Sequence, residues 1–389
     1  MHLFLFFIAQ VIPWYLFPGT APKDTTRVPL KQNPTTEVVE PVREIPAVNP
    51  GTDTCSFRLD IPDVINVTLA LPLNTSPSSA GNIDFYCGAL LAARDLGQDG
   101  IRLNVNAYDI SQSGVTQGMI EGSDVFLGPI ACQDVEKAAA CCPCGKHIIS
   151  PLDQRSAALV NDFNVIQTPA TQEEQLRLLA AWAGEDLKPE EKLIVILENS
   201  ADSCNVIVDE LDSLRIPYTK VYGYSSIAST GRNELHNRYL TASDKEYFAS
   251  GVVRSVSVLA LQRHSVSLYC PAKVRSFENL ETELLHNADT HLMTNYFVDY
   301  NNPEVRKFVY TYRALFNAEP DSYAFHGYDS MKYFTRLCAL YGREWYKKIP
   351  EYSERGLQTG FDFTFQGCGA VNHATMRVVY SPDFSVNVQ

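Results

Sequence analysis

The chain has 389 residues, 45% hydrophobic and 20% charged, proportions of a globular protein with room for two cores at about 150 residues each. Its 45 Asp and Glu outweigh 32 Lys and Arg, a formal net charge of −13, so the mean field repels polyanions and argues against nucleic acid or anionic lipid surfaces as partners. Ten cysteines in this length are too few for a disulfide scaffold, although a handful of bridges would fit an even count.

Residues 3–17 are almost wholly apolar, but the run is too short to cross a hydrocarbon core of about 30 Å at about 1.5 Å per residue, and it contains Pro13. It has the length of a signal-peptide hydrophobic region, and Gly19-Thr20-Ala21 supplies small residues at the cleavage site. Residues 1–21 are therefore expected to be an export signal cut after Ala21, although His2 stands where a Lys or Arg is usual. Cysteine does not follow until Cys55, which argues against a lipid anchor. Residues 22–62 carry Pro22, Pro29, Pro34, Pro41, Pro46, Pro50 and Pro62 among Thr, Val, Lys and Glu, the composition of an extended, semi-rigid linker.

Beyond Pro62, short apolar runs alternate with segments of helical period, the pattern of parallel strands joined by crossover helices. Strands are expected at 64–71, 103–108, 124–127 and 146–150, with a helix capped by Asn82 and another over 133–142. A second series opens at Thr171, which has capping-box spacing to Glu174. It continues with a strand at 193–197, a helix over 202–214, a strand at 218–223, strands at 246–249, 266–270 and 291–297, and a helix over 252–261. Asn302 and Pro303 then start a helix that turns Val305, Phe308, Val309, Tyr312 and Phe316 inward. A helix from about Asp321 carries Tyr328, Met331, Phe334 and Cys338, and strand-like pieces at 360–365 and 376–380 close the chain. The expected fold is α/β, two doubly wound lobes joined by a multi-crossover hinge, with residues 63–168 and 298–342 in the first lobe and 169–297 and 343–389 in the second.

Several short stretches resemble a known family. Residues 67–73 (VTLALPL) and 85–92 (FYCGALLA) are similar to the opening strand, loop and helix of type I periplasmic binding proteins of the leucine-binding kind. Residues 125–129 (VFLGP) and 147–152 (HIISPL) resemble the ends of its third and fourth strands. Residues 308–313 (FVYTYR) and 324–329 (AFHGYD) resemble its closing helix pair. The match runs in order from about residue 64 to 386, and the tether and Tyr-rich surroundings are similar to versions from Bacteroidetes-type bacteria. The resemblance implies two lobes closing on a small solute, amino acid transport in company with an ABC transporter or sensor in the membrane, and a periplasmic location.

In doubly wound sheets, ligands sit beyond the carboxyl ends of the strands. The candidate ligand-binding residues there are Leu73 and Asn74, then Ile130, Ala131 and Cys132 after Gly128-Pro129, then Ser150 and Leu152. The facing lobe offers Asn199, Ser200 and Tyr224. Gly128 is expected to let a ligand approach the main chain, and the helix start near Cys132 to aim N–H groups into the gap. Amino-acid-binding members carry hydroxyl residues just after the Gly-Pro turn, whereas Ile130, Ala131 and Cys132 leave only backbone amides; the ligand is then a small polar or aromatic solute, and an amino acid stays open. Tyr296 and Tyr300 have two readings, stacking on a ligand or packing the hinge.

Other motifs read more plainly. Cys141-Cys142-Pro143-Cys144 holds a C-x-P-C string, but it follows a helix and meets its negative end, the wrong end for a redox thiolate. A zinc site would need a second ligand pair. His326 and Asp329 share a helix turn, where local hydrogen bonding explains them better than catalysis does. A Cys204–Cys270 pairing stays open. With no nucleophile elbow, P-loop or dinucleotide fingerprint, no cofactor or catalytic residue is expected. The expected function is capture of a small solute by hinge closure. The alternative is an envelope-associated interaction module of the same fold whose cleft is empty or protein-filled.

Overall fold

The computed structural model describes residues 59–74, 80–199, 205–231 and 234–389. The expected export signal, most of the Pro-rich linker, Ser200 and Cys204 lie outside the described residues.

The first lobe begins with β1 (Ile65–Leu71), α1 (Ala80–Gln98), β2 (Leu103–Asp109), α2 (Gln117–Glu121), β3 (Val125–Leu127), α3 (Cys132–Ala140), β4 (Ile148–Ser150) and β5 (Val165–Gln167). The second runs through α4 (Gln172–Glu185), β6 (Lys192–Leu197), α5 (Val206–Ser213), β7 (Thr219–Tyr222), β8 (Asn237–Leu240), α6 (Glu246–Leu261), β9 (Val266–Pro271), α7 (Thr282–Asn287) and β10 (Thr290–Thr294). The chain then returns through α8 (Pro303–Phe316) and α9 (Ser322–Tyr341). It finishes with β11 (Glu354–Arg355), β12 (Gly360–Phe361), β13 (Phe363–Gln366), β14 (Gly369–Asn372), β15 (Met376–Tyr380) and β16 (Val386–Val388).

Two seven-stranded sheets result, ordered β13-β14-β5-β4-β3-β1-β2 and β16-β15-β10-β9-β8-β6-β7. Each has a core on both faces, because its central strands are apolar on both sides. On β1, Val67, Leu69 and Leu71 enter one core and Ala70 the other. On β6, Ile194 and Ile196 face one side while Leu193, Val195 and Leu197 face the other.

Four local readings are corrected by this topology. Residues 246–249 are the first turn of α6, since the buried Phe248, Ala249, Val252, Val253 and Val256 follow a helical period. The missed strand β8 hides its burial behind polar residues, and Arg238 is held there by Glu191 at 2.7 Å and the Tyr269 hydroxyl at 2.8 Å. The three-residue β5 was too short to show a period. Finally, the strand piece at 360–365, assigned above to the second lobe with the rest of 343–389, belongs with the first. Trp345, Ile349, Phe361 and Phe363 enter its core, Phe361 stacks on Tyr333 with ring centres 4.2 Å apart, and β14 pairs with β5. Only β15 and β16 of that stretch join the second sheet.

The helices carrying the family-like stretches, α1 and α9, meet backbone to backbone. A Cβ on Gly88 would lie 1.9 Å from the Ala324 carbonyl oxygen, and one on Gly327 would lie 2.0 Å from that of Phe85. Glycine is therefore needed at both crossing points for contact, irrespective of backbone angle.

The chain passes between lobes after β5, after β10 and between β14 and β15. Two buried asparagines stitch these passes together. Asn295 Nδ2 donates to the Ala170 carbonyl (2.7 Å), while Asn372 Nδ2 donates to the carbonyls of Thr168 (2.7 Å) and Gly360 (2.8 Å). Asn372 Oδ1 accepts from the amides of Asp362 (2.8 Å) and Ala374 (3.0 Å).

Candidate functional site

The strand ends nominated from sequence are, for the most part, satisfied from within. The Leu73 amide donates to Asp109 (3.0 Å), and Leu73, Ile130 and Leu152 pack against the first core. A Cβ on Gly128, whose φ is +101°, would lie 2.3 Å from the Ala70 carbonyl oxygen; the glycine lets β3 approach β1, not a ligand approach the main chain. The N-terminus of α3 is met by a carboxylate of the protein itself, since the Cys132 amide donates to Asp153 Oδ2 (2.9 Å). The Arg155 guanidinium, and after it that bond, hold Asp153 below the usual carboxylate range.

Asn74, Ala131 and Asn199 are exposed at strand ends, and Ser150 is fully buried with its hydroxyl unpartnered. Tyr224 is turned into α6, its ring 5.9 Å from that of Phe248 and 6.3 Å from that of Tyr247.

Tyr296 and Tyr300 are the nominated residues that share a cavity. They line an interlobe cleft of about 680 Å³, within the usual size range of small-molecule sites, roughly 300–1,000 Å³. The first lobe supplies Gln154, beyond β4, and the start of α9 around Asp321. The second supplies residues 271–276, beyond β9, and the start of α4 at Gln172 and Gln175. The floor is the second pass between lobes, residues 294–298, tied down by the Phe297 amide to the Gln358 carbonyl (3.0 Å) and a bridge between Tyr296 and Thr359. The ring of Tyr296 meets His326 at 5.3 Å between centres, and the residue is 41% exposed. Tyr300 is 62% exposed.

The charged side chains along this cleft divide into satisfied and unsatisfied. Lys273 pairs with Asp244 at 3.3 Å, and Asp321 caps α9 through the Ala324 amide at 3.0 Å. Arg275 lies over the Phe297 ring, 5.3 Å from its centre, and its Nη1 is buried without a hydrogen-bond partner. The buried Asn295 likewise has an unpartnered Oδ1. The sequence reading missed Gln154, Arg275 and Asn295. The strand-end rule that nominated the other loops, extended to the strand expected at 266–270, points to residues 271–276 directly.

The remaining motifs have partners within the chain. Burial and the neighbouring thiols push the Cys142 thiol up to about 11, which favours its protonated form near neutrality. His326 and Asp329 bond over long range instead of locally. The Asp329 carboxylate accepts the amides of Leu357 (2.7 Å), Gln358 (2.8 Å) and Thr359 (2.9 Å), and His326 Nδ1 meets the Thr359 hydroxyl (3.1 Å). Both therefore clamp the segment beneath the cleft to α9. Cys270 is buried with a free thiol.

Two mostly parallel sheets, a cleft between them and several passes of the chain across it define the fold of the type I periplasmic binding proteins. No protein-family model and no curated protein matches the sequence. Solved structures do. A protein described as a branched-chain amino acid ABC transporter from Rhodospirillum rubrum is similar with a TM-score of 0.59 at 14% identity, over 85% of this chain and 100% of that one. A branched-chain amino acid ABC transporter periplasmic ligand-binding protein from Burkholderia xenovorans gives 0.54 at 11% identity, over 84% of this chain and 94% of that one. Full-length LpoA from Haemophilus influenzae gives 0.53 at 14% identity, over 85% of this chain and 60% of that one. At these identities the likeness is one of fold.

Proposed function

We propose that the chain is an extracytoplasmic solute-binding protein that captures a small ligand between its lobes by hinge closure. A membrane transporter or sensor would read the closed form. The observation that carries this is the cleft itself: polar and aromatic groups from both lobes face one space whose floor is a pass of the hinge. Open and closed forms balanced within a few kcal/mol would be shifted by any ligand that touches both walls. The fold shared with ABC transporter ligand-binding proteins supports this reading. The candidate ligand contacts are Tyr296 and Tyr300, which line the cleft, together with the exposed Asn74, Ala131 and Asn199. The chain is read as a binding protein and not an enzyme.

A thermal-shift screen of amino acids, peptides, nucleosides and cell-wall fragments tests this. A true ligand at about 100 times its Kd adds about 2.7 kcal/mol of stability, and a screen without a hit contradicts the proposal. The second reading, an interaction module with a protein-filled cleft, is favoured by the internal satisfaction of the Leu73 and Cys132 amides. It predicts solution scattering unchanged by every small molecule, together with a stable protein partner.

A further inference from the structure

We propose that the free border of the first lobe is a self-association surface, where β2 pairs antiparallel with β2 of a second copy of this chain. β2 ends the first sheet. Ile65 lies opposite Leu103, and the Ile65 amide donates to the Arg102 carbonyl, so the main-chain groups of Asn104, Asn106 and Tyr108 aim at β1. Those of Leu103, Val105, Ala107 and Asp109 therefore aim outward, and none of them has a backbone partner among the described residues. Sheet borders are ordinarily blunted by shortness, lysine, proline or a bulge. The other three borders fit this rule: β7 has four residues with Lys220, β13 four and β16 three. β2 runs for seven residues, LNVNAYD, in unbroken register with β1 and without Lys or Pro.

Helix α1 widens the surface. It meets α9 at Gly88, and α9 packs over β1 and β3. At about 100° per residue, Ile83, Tyr86, Leu90, Ala93 and Gly97 lie on the opposite side of α1, toward β2, spaced alternately three and four apart. Ile83 is 44% exposed, and Gly97 opens on free space. A second copy is the occupant these features fit. A two-fold axis at Asn106 sets Leu103 opposite Asp109 and Val105 opposite Ala107, each pair exchanging both outward hydrogen bonds. The same axis brings the two α1 stripes together at the spacing of a helix seam. In a chain of net charge −13 this border is nearly neutral, since the stripe has no charge and β2 has one, Asp109. The two copies of Asp109 stay about 20 Å apart at ~3.4 Å per residue, so the copies meet where their repulsion is weak.

Sedimentation equilibrium of the full chain over a concentration series, paired with amide hydrogen exchange across residues 103–109, tests this. The mass should rise to twice that of the chain. The Val105 and Ala107 amides, unbonded in the single copy, should exchange about tenfold or more slower at the dimer end of the series. Ala107→Pro removes an outward donor and no bond to β1, and Leu90→Glu sets like charges across the axis. Each should weaken the dimer by about tenfold or more while keeping the parent's circular dichroism, and Tyr222→Lys on β7 should leave the dimer intact. A parent that stays monomeric up to its solubility limit overturns the proposal. So does a dimer that survives both Ala107→Pro and Leu90→Glu, one lost with Tyr222→Lys, or amides 105 and 107 that exchange alike in monomer and dimer. Should one variant misfold, the other and the exchange pattern decide.

Discussion

Asn372 is the residue through which the hinge is most directly open to test. Its side chain, 1% exposed, makes four hydrogen bonds between 2.7 and 3.0 Å that join the pass after β5, the turn before β13 and the pass into β15. Truncation to Ala strands two carbonyls and two amides that no longer meet an amide side chain. At about 1 kcal/mol net for each bond, Asn372→Ala should destabilise the protein by about 3–5 kcal/mol. Asn372→Asp keeps the acceptor for the two amides but turns the Nδ2 donor into an oxygen facing two carbonyls, and it buries a charge; its cost should equal or exceed that of Ala. Urea melts of the parent and both variants, read by far-UV circular dichroism and by tryptophan fluorescence, give these values. A loss below about 1 kcal/mol for Ala, or Asp clearly milder than Ala, would refute the claim that this side chain stitches the passes together.

Glycine substitutions separate contact from propensity. Gly327→Ala should destabilise by about 2 kcal/mol or more, because a Cβ 2.0 Å from the Phe85 carbonyl oxygen forces α1 and α9 apart. Gly97→Ala, in open space on α1, should stabilise by up to about 1 kcal/mol in the same denaturation assay. The pH dependence of stability has a worked sign. Burial pushes His147 and His326 down to about 4, so between pH 6.5 and 4 the unfolded chain binds protons that the native state does not. Their stabilisation is complete above pH 6.5 and is lost as pH falls toward 4. Asp329, pushed up to about 6 by burial, acts in the opposite sense, its contribution growing as pH falls from 6 toward 3.8. His147→Phe, which keeps a ring against Tyr346 (centres 4.0 Å apart), should therefore flatten the loss between pH 7 and 5 in urea melts, and an unchanged slope would refute the assignment.

The layers of this fold were legible because its central strands are apolar on both faces and some of its helices open on side-chain caps, although Asn82, expected to cap, lies inside α1 and donates to the Pro72 carbonyl instead (3.0 Å). Asn302 with Pro303, Thr171 and Asp321 all cap where the sequence placed helix starts. What stayed hidden depends on long-range partners. Strand β8 has no apolar signature because Arg238 is satisfied by Glu191 and Tyr269 from other elements. The lobe of β13 and β14 is decided by the stacking of Phe361 on Tyr333 and by the close approach of Gly369 to the Val165 carbonyl oxygen, neither of which leaves a periodic mark. Of the candidate residues, Tyr296 and Tyr300, nominated as aromatic residues at a lobe change, line the cleft, whereas the loop amides near Leu73 and Cys132 looked available only because Asp109 and Asp153 are distant in sequence.

Small-angle X-ray scattering of the protein with and without a saturating, stabilising compound bears most directly on capture between moving lobes. Closure around the cleft should shrink the radius of gyration and shift the scattering curve between open and closed forms. A compound that stabilises the protein while leaving the curve unchanged, repeated across every binder found, would contradict hinge closure as the way this chain holds its ligand.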